Sequence, residues 1–259
     1  MTVARPRVGV IMPAYNEADR IEQTLESVAR YWAGGTKVRS VCLADDGSTD
    51  GTIRIAEAAA RRLDLPLEVL RLPHRGKAWT VRAAMLEVSV SIDLDYLMML
   101  DADDELRIDQ LDRVVWSDDP GAMPSLFRRF MSWGMRIASR LLLGVNFRDT
   151  QCGFKLFPRS IVADLFGQQR SKSWTFDAEL LLIASRISGI PVQEVDVTWS
   201  PRGASKVGLA APISSGFALL GTAFNRVRGV YRPIGMEPVP ASTAVQARPG
   251  GSTGPRPAG

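Results

Sequence analysis

A run of apolar residues leads directly into a cluster of carboxylates in the segment Tyr96–Asp104, Tyr-Leu-Met-Met-Leu-Asp-Ala-Asp-Asp. The apolar part predicts a buried strand, whose end places Asp101 and Asp103 at the carboxyl edge of a sheet, where open α/β folds bind ligands. Carboxylate oxygens two residues apart can share a divalent cation, which in turn binds a diphosphate. The alternative is a solvated acidic turn after the strand, since Asp-x-Asp is a weak motif by itself.

Two further strand ends are followed by polar, turn-forming residues. The first is Met12–Glu17, Met-Pro-Ala-Tyr-Asn-Glu, and the second is Ala44–Thr52, Ala-Asp-Asp-Gly-Ser-Thr-Asp-Gly-Thr. Each could be only a helix cap and a turn, because Asn16 and Asp50 are suitable N-cap residues and the glycines suit left-handed turns.

The segments that position these clusters alternate between strand and helix patterns. Predicted strands cover Val8–Met12, Val38–Leu43, Leu67–Leu72 and Tyr96–Leu100, and predicted helices cover Asn16–Trp32, Asp50–Leu63 and Gly76–Val88. Alternation at these lengths requires crossover connections and a largely parallel sheet. All three polar clusters then lie at one edge, and such a coincidence favours a binding site over three unrelated turns.

The second half of the chain has a less regular pattern. Further predicted elements are helices at Ile108–Trp116 and Phe176–Ile187, a short strand at Phe154–Phe157 and another strand at 195–199. The apolar but interrupted segment Leu209–Phe224 is either a core helix or a segment lying in a membrane interface. Nine of the last 24 residues are proline or glycine. We therefore expect one domain over residues 1–235 and a disordered tail over 236–259.

The composition indicates a soluble globular protein, with 46% hydrophobic residues among 259 and a mean hydropathy of −0.01. Cys42 and Cys152 are too few for a disulfide framework, and we expect no signal peptide before Val8. No uninterrupted run of about 18 apolar residues predicts a transmembrane helix. A cytosolic location is therefore expected.

Positive charge is concentrated between Leu126 and Arg148, a segment with several bulky apolar residues and no acid. Its arginines are Arg128, Arg129, Arg136, Arg140 and Arg148. This mixture suits a lipid headgroup layer or a nucleic acid, and the alternative is an ordinary solvated helix face. A nucleic-acid partner is not expected, because the sheet edge is acidic and no nucleic-acid-binding motif is present.

The motifs Pro-x-Tyr-Asn-Glu, Asp-Asp-Gly-Ser-x-Asp-Gly-Thr and Asp-Ala-Asp, after successive strands, resemble those of the family-2 inverting glycosyltransferases with the GT-A fold. Two later segments, Asp149–Lys155 and Trp174–Leu180, resemble the dolichyl- or polyprenyl-phosphate hexosyltransferases, nearest the dolichyl-phosphate β-glucosyltransferase type. The resemblance covers about residues 7–207. It implies a single α/β domain with a mostly parallel sheet, a UDP-sugar or GDP-sugar donor, Mg²⁺ or Mn²⁺, and a polyprenyl phosphate acceptor.

The same resemblance implies roles for individual residues on the donor side. The nucleotide pocket would be lined by Pro13, Ala14, Tyr15 and Glu17, with Asp45 and Asp46 at the base and ribose. Arg75 and Lys77 would lie near the donor phosphates. Asp101 and Asp103 would hold the metal, and Glu105, where many relatives have glutamine, is a third candidate ligand.

On the acceptor side, the resemblance places Asp149 near the sugar or the acceptor. The loop Trp199–Lys206 resembles an Arg-x-Gly-x-Ser-Lys loop of the family. Candidates for binding the acceptor phosphate are Arg202, Ser205 and Lys206 in this loop, and Arg136, Ser139 and Arg140 in the basic segment.

Three other ionisable residues have open or minor roles. Asp177 and Glu179 lie in an apolar helix, where burial is costly unless a carboxylate is paired. They are either part of the site or structural partners of Arg148, Lys155 or Arg186. The only histidine, His74, is expected to be a loop residue without a catalytic role.

The function we expect is metal-dependent, inverting transfer of a hexose, glucose rather than mannose, to a polyprenyl phosphate. We expect a peripheral enzyme on the cytoplasmic face of a membrane, held by residues 126–143 and 209–224, because the flanking transmembrane helices of many relatives are missing. The segment 116–124 is shorter than in relatives. Two alternatives remain open: a family-2 transferase with a soluble or polysaccharide acceptor, and a non-catalytic nucleotide-sugar-binding relative.

Overall fold

A computed structural model of the chain describes residues 6–33, 38–103, 108–111, 137–147, 149–195 and 211–235. Several predicted features lie outside these ranges: Glu105, the loop with Arg202, Ser205 and Lys206, most of the basic segment, almost all of the strand expected at 195–199, and the tail after Gly235. These features remain predictions.

The described part of the chain contains a five-stranded sheet in the order β3-β2-β1-β4-β5. The strands are β1 (Val8–Ala14), β2 (Val38–Asp45), β3 (Leu67–Arg71), β4 (Tyr96–Leu100) and β5 (Phe154–Pro158). Strands β1 to β4 are parallel to their neighbours, and β5 pairs antiparallel with β4. The predicted α/β class with a mostly parallel sheet is confirmed.

Helices connect and cover these strands. They are α1 (Ile21–Ala33), α2 (Thr52–Arg62), α3 (Lys77–Val88), α4 (137–143), α5 (Arg159–Gly167), α6 (Phe176–Leu181) and α7 (Ala211–Val227). A π-helical stretch, Leu182–Ile187, continues α6, and Ile108–Gln110 is a 3-10 turn at the start of the helix predicted there.

Two predicted caps are not the caps of the observed helices. Asn16 has a φ of 52°, and α1 begins only at Ile21. The side chain of Asn16 instead accepts a hydrogen bond from the backbone of Thr49, so it joins two loops rather than starting a helix. At α2 the N-cap position is occupied by Gly51 with a φ of 90°. Asp50 precedes it, and its Oδ1 still accepts the Thr52 N–H at 3.0 Å, which is the type of contact expected of a capping side chain.

Both faces of the sheet are buried. On one face, Met12, Leu43 and Met98 pack in the cluster that includes α1 and α2. On the other face, Ile11 and Met99 pack in the cluster that includes α3, α5 and α6. Burial on both sides explains why β1 and β4 are continuous apolar runs without polar alternation.

The register sets the position of the polar clusters. Ala14 at the end of β1 pairs with Asp45 at the end of β2, and Leu100 at the end of β4 pairs with Phe154 at the start of β5. The residues after β1, β2 and β4 therefore leave the sheet at one edge, as the sequence predicted. The antiparallel β5 brings the segment before it to this edge as well.

Candidate active site

The loops after β1 and β2 are joined by hydrogen bonds into one unit. The backbone N–H of Asn16 donates to Ser48 Oγ at 2.9 Å, and that of Glu17 donates to Thr52 Oγ1 at 2.8 Å. In return the Thr49 N–H donates to Asn16 Oδ1 at 2.9 Å. Bonds in both directions fix the two predicted nucleotide-binding loops relative to each other.

Asp45 is buried with one oxygen committed and one oxygen unpaired. Its Oδ2 accepts hydrogen bonds from the backbone N–H groups of Gly47 at 3.0 Å and Ser48 at 2.9 Å. Its Oδ1 is buried and has no hydrogen-bond partner. Because an unpaired buried carboxylate oxygen is costly, this atom is suited to accept a hydrogen bond from a bound ligand, such as a hydroxyl or an N–H group.

Asp46 fixes the loop that precedes α3. Its Oδ1 accepts from the Arg75 N–H at 2.8 Å, and its Oδ2 accepts from the Gly76 N–H at 2.9 Å. His74 Nδ1 also lies 2.9 Å from Oδ2. Both oxygens are used by this loop, so Asp46 positions the start of the helix that begins with Lys77. Its contact with a nucleotide stays a prediction.

Tyr15 and His74 form a stacked aromatic pair at the sheet edge. Their ring centroids are 4.1 Å apart with an interplanar angle of 22°, and Tyr15 is 41% exposed. His74 is a loop residue, as the sequence predicted, and it stacks on a residue predicted to line the nucleotide pocket, a position that the sequence interpretation did not anticipate. This position could have been predicted, because His74 follows β3 and β3 ends at the same edge of the sheet as the three motifs.

Lys77 and Asp101 form an ion pair at this edge. Lys77 Nζ lies 2.5 Å from Asp101 Oδ1, and only 20% of the lysine side chain is exposed. Burial alone would lower the pKa of Lys77, but the charge and hydrogen bond of Asp101, with the charges of Asp177 and Asp103, raise it overall. Lys77 is therefore a fixed positive charge beside the carboxylates. The indole ring of Trp174 lies 5.5 Å from the same Nζ.

Gly153 allows Asp101 its position. The Asp101 N–H donates to the Gly153 carbonyl oxygen at 3.2 Å, extending the pairing of β4 with β5. A Cβ atom on residue 153 would lie 2.0 Å from Asp101 Oδ2, far inside van der Waals contact. The glycine of the Asp-Thr-Gln-Cys-Gly-Phe-Lys motif is thus required by the close approach of the carboxylate.

Asp177 is a second buried carboxylate near this pair. Burial raises its pKa, and the charges of Lys155 and Lys77 partly oppose that shift. Lys155 Nζ lies 3.0 Å from Asp177 Oδ1 and also donates to the Cys152 carbonyl oxygen. Asp177 therefore contacts Lys155, one of the partners considered from the sequence; Arg148, another of them, lies outside the described residues.

Glu179 is bound by neutral donors rather than by a cation. Its carboxylate accepts from the backbone N–H groups of Arg170 and Ser171 and from the Tyr231 hydroxyl at 2.5 Å. Burial raises the pKa of Glu179, and these hydrogen bonds partly oppose the shift. Among the described residues, Glu179 therefore has the role of a structural acceptor.

The donor set at Asp101 and Asp103 fits a hard divalent cation. Mg²⁺ and Mn²⁺ are commonly held by one or two carboxylates together with substrate phosphates, and not by a full protein cage. Within the described ranges, no group of three His, Cys, Asp or Glu side chains could hold a metal ion. Asp101 and Asp103 are both partly exposed at this edge, so a phosphate-bound metal could reach them.

The remaining predicted residues are placed as follows. Asp149 Oδ1 accepts from the Gln151 N–H at 2.8 Å, in the turn that leads to β5. Ser139 is fully buried, whereas Arg140 is exposed. Pro13 and Ala14 are the buried last residues of β1. The sequence interpretation gave no role to Gly153, Trp174 or His74, although the first two lie within quoted motifs.

Comparison with known proteins identifies relatives over most of the chain. Residues 9–132 match the model of the family "Glycosyl transferase family 2". A dolichyl-phosphate beta-glucosyltransferase of Drosophila melanogaster is 30% identical over 77% of this chain and 69% of its own length. The protein of that name from Saccharomyces cerevisiae is 27% identical over 78% of this chain and 70% of its own length.

Solved structures share the fold at lower identity. Glucosyl-3-phosphoglycerate synthase of M. tuberculosis has a TM-score of 0.59 and 17% identity, covering 85% of this chain and 80% of that one. Mannosyl-3-phosphoglycerate synthase from Rubrobacter xylanophilus has a TM-score of 0.51 and 15% identity, covering 92% and 79%. The expected GT-A fold is thereby confirmed. In the part of the chain that the structure describes, no helix has both the length and the apolar character needed to span a bilayer.

Proposed function

Since the chain belongs to glycosyl transferase family 2 and is a glycosyltransferase, we propose that it transfers glucose from UDP-glucose to a polyprenyl phosphate such as dolichyl phosphate. The relatives named dolichyl-phosphate beta-glucosyltransferases support this sugar and this acceptor. The M. tuberculosis synthase has been solved with Mn²⁺, UDP and phosphoglyceric acid, which supports a uridine nucleotide donor and a divalent cation.

The observation that supports the proposal most strongly is the presence, at one edge of the sheet, of both the Lys77–Asp101 ion pair and the unpaired Asp45 Oδ1. A nucleotide sugar needs hydrogen-bond acceptors for its nucleoside and positive charge for its diphosphate. Asp45 offers a hydrogen-bond acceptor, and Lys77 offers a positive charge. The stacked rings of Tyr15 and His74 provide a flat aromatic surface at the same edge of the sheet.

In the proposed reaction, an oxygen of the acceptor phosphate forms a bond to C1 of glucose from the face opposite the donor. The bond between C1 and the donor phosphate oxygen breaks, and UDP leaves with the bonding electrons. The acceptor phosphate is already anionic at neutral pH, so it needs positioning more than a strong base. Lys77 stabilises the negative charge that develops on the leaving diphosphate.

Asp101 and Asp103 would hold the divalent cation, which when bound offsets charge on the departing diphosphate. Before the donor arrives, the Lys77 ammonium balances the charge of Asp101. We also propose that the protein works as a peripheral enzyme on the cytoplasmic side of a membrane, where a polyprenyl phosphate headgroup is accessible.

The test is a transfer assay with radiolabelled UDP-glucose, GDP-mannose and other donors, with polyprenyl phosphate as acceptor. We expect label from UDP-glucose in the organic phase. Asp101→Asn should reduce the rate by on the order of 100-fold or more, because a charged metal ligand is lost. Asp164→Asn, in an exposed position on α5, serves as the matched control and should leave the rate unchanged.

Label that stays in the aqueous phase in soluble or polymeric sugar would reject the lipid acceptor. Transfer from GDP-mannose and not from UDP-glucose would reject the donor. An Asp101→Asn protein with the wild-type rate would show that the proposed site is not the reactive one.

A further inference from the structure

Helix α7 exposes its large apolar side chains. Phe217 is 72% exposed, Leu220 52%, Phe224 58% and Val227 86%. Their spacing of three, four and three residues places all four on one face of the helix. We call these four residues the α7 stripe.

The opposite face of α7 packs against the protein with one leucine and two small polar side chains. Ser215 is 4% exposed, Leu219 is fully buried and Thr222 is 3% exposed, and the Thr222 hydroxyl donates to a carbonyl of its own helix. A helix of a globular protein normally buries its largest apolar residues and exposes its polar ones. The reversed arrangement here indicates that the α7 stripe contacts something outside the described protein.

The charged side chains of the segment 211–235, which contains the α7 stripe, are all positive. Residues 211–235 contain three arginines, Arg226, Arg228 and Arg232, and no aspartate or glutamate. All three arginines are exposed, and the Arg228 guanidinium lies 5.3 Å from the centre of the Phe224 ring. Apolar side chains next to arginines, in a segment that has no acidic residue, complement a layer with an apolar interior and an anionic outer surface.

A second helix adds to this surface. Arg226 Nη1 donates to the Leu143 carbonyl oxygen at 2.7 Å, so the carboxyl ends of α4 and α7 meet. On α4, Leu141 is 78% exposed, and its neighbour Arg140 is exposed too. Residues 137–147 contain no acid either. The combination of outward apolar and cationic residues is therefore repeated on two joined helices.

We propose that the α7 stripe docks on an anionic lipid bilayer, with α7 lying flat in the headgroup layer and Arg228 and Arg232 contacting lipid phosphates. Amphipathic helices with aromatic and aliphatic residues on one face and arginines beside it bind such interfaces. The exposure of the α7 stripe is observed directly. The choice of a lipid surface as its partner rests on the proposed function, in which the acceptor is a polyprenyl phosphate.

The experiment is co-sedimentation of the full chain with vesicles of phosphatidylcholine alone, or with about one third phosphatidylglycerol. We expect binding to the anionic vesicles and at least about tenfold weaker partitioning for Phe217→Ser/Phe224→Ser, because two large apolar groups are lost. Val90→Ser/Ile92→Ser is the matched control. These two residues are 76% and 79% exposed in the loop after α3, and their removal should leave vesicle binding unchanged.

A charge variant, Arg228→Gln/Arg232→Gln, should weaken binding to anionic vesicles and leave the weak binding to phosphatidylcholine unaltered. Circular dichroism of each variant verifies that the helices remain folded. The proposal would be overturned if the wild-type protein did not bind the anionic vesicles. It would also be overturned if the two double-serine variants reduced vesicle binding equally. A wild-type oligomer that becomes monomeric in Phe217→Ser/Phe224→Ser would also overturn it, because the stripe would then contact another copy of the chain.

The vesicle assay contains neither donor nor acceptor, so it is independent of the transfer reaction. Transfer to a short-chain, water-soluble polyprenyl phosphate without vesicle binding would reject the docking surface and support the proposed function. Vesicle binding without any transfer to a lipid phosphate would support the docking surface and reject the proposed function.

Discussion

The position of Asp101 depends on its contacts with Lys77 and Gly153. Lys77 holds one carboxylate oxygen, and Gly153 leaves room for the other. The same Gly153 accepts the Asp101 N–H, so backbone and side chain of the aspartate are both fixed by one residue. A change at position 153 should therefore act on the reaction more than on the fold.

We predict that Gly153→Ala lowers the transfer rate by on the order of 100-fold, similar to loss of a metal ligand, because the new methyl group displaces the Asp101 carboxylate. The melting temperature should fall only slightly, since the side chain of Asp101 is 25% exposed and can rotate away. Rate and melting temperature measured on the same preparation check this.

The matched control is Gly167→Ala at the end of α5, where an added Cβ has no atom within 4 Å. This variant should retain the wild-type rate. Equal rate losses in the two alanine variants, or a wild-type rate for Gly153→Ala, would contradict the explanation given for Gly153.

At the residue scale, the sequence predicted which side chains lie at the edge but not how they are used. Asp45 and Asp101 were predicted at this edge because each follows a predicted strand, and Lys77 because the family resemblance placed it near the donor phosphates. That Asp46 holds the loop of His74–Gly76 could not be predicted, because about 28 residues separate the partners and either aspartate could have done so. The Lys155–Asp177 contact was one of several open pairings for the same reason.

At the scale of elements, Glu179 connects three parts of the chain. It lies on α6, accepts hydrogen bonds from the segment 170–171, and is bound by Tyr231 from the segment after α7. The neighbouring Gln169 donates to the Ala78 carbonyl oxygen in the first turn of α3. The segment that leads to Trp174 is thus connected through Glu179 to Tyr231, which follows α7, and through Gln169 to α3.

We predict that Tyr231→Phe lowers the free energy of unfolding by about 1–3 kcal/mol, because Glu179 loses a buried donor. Urea unfolding followed by circular dichroism measures this change. The same substitution in a Glu179→Gln background should cost less, since the partner carboxylate is already gone. An equal cost in both backgrounds would show that the hydroxyl acts through another contact.

Strands were predicted more accurately than helix ends. β1 and β4 are apolar runs, β2 is mostly buried, and all three lead into polar turns; their observed bounds lie within two residues of the prediction. The start of α1 was misplaced because Asn16 is bound by Thr49, a residue of another loop. For α7 the sequence predicted an apolar segment that was either a core helix or a segment lying in a membrane interface. Which face would be buried depends on packing against the rest of the chain, and hydrophobicity alone does not specify it.

At the scale of the whole molecule, the buried acids make stability depend on pH. Burial raises the pKa of Asp177 in the folded state above its ordinary value of 3.8. The folded state then binds this proton more tightly than the unfolded state does. By linkage, the contribution of Asp177 to stability is most favourable below pH 3.8 and declines as the pH rises through its folded pKa.

We predict that Asp177→Asn, which does not titrate, becomes progressively more stable relative to wild type as the pH rises from about 4 to about 7. Glu179, whose pKa is shifted in the same direction, is present in both proteins and cancels from the difference. Urea unfolding of both proteins across this range gives the comparison. A difference that stays constant, or that moves in favour of wild type with rising pH, would show that Asp177 is not buried in this way.

The antiparallel β5 has a consequence for synthesis of the protein. Strands β1 to β4 can assemble once residue 100 has left the ribosome, but β5 begins only at Phe154, and Trp174 and Asp177 follow later still. A nascent chain therefore carries the loops proposed to bind the nucleotide well before Gly153 arrives beside Asp101 and Lys155 beside Asp177. The proposed site is completed last, when the fifth strand joins the growing sheet.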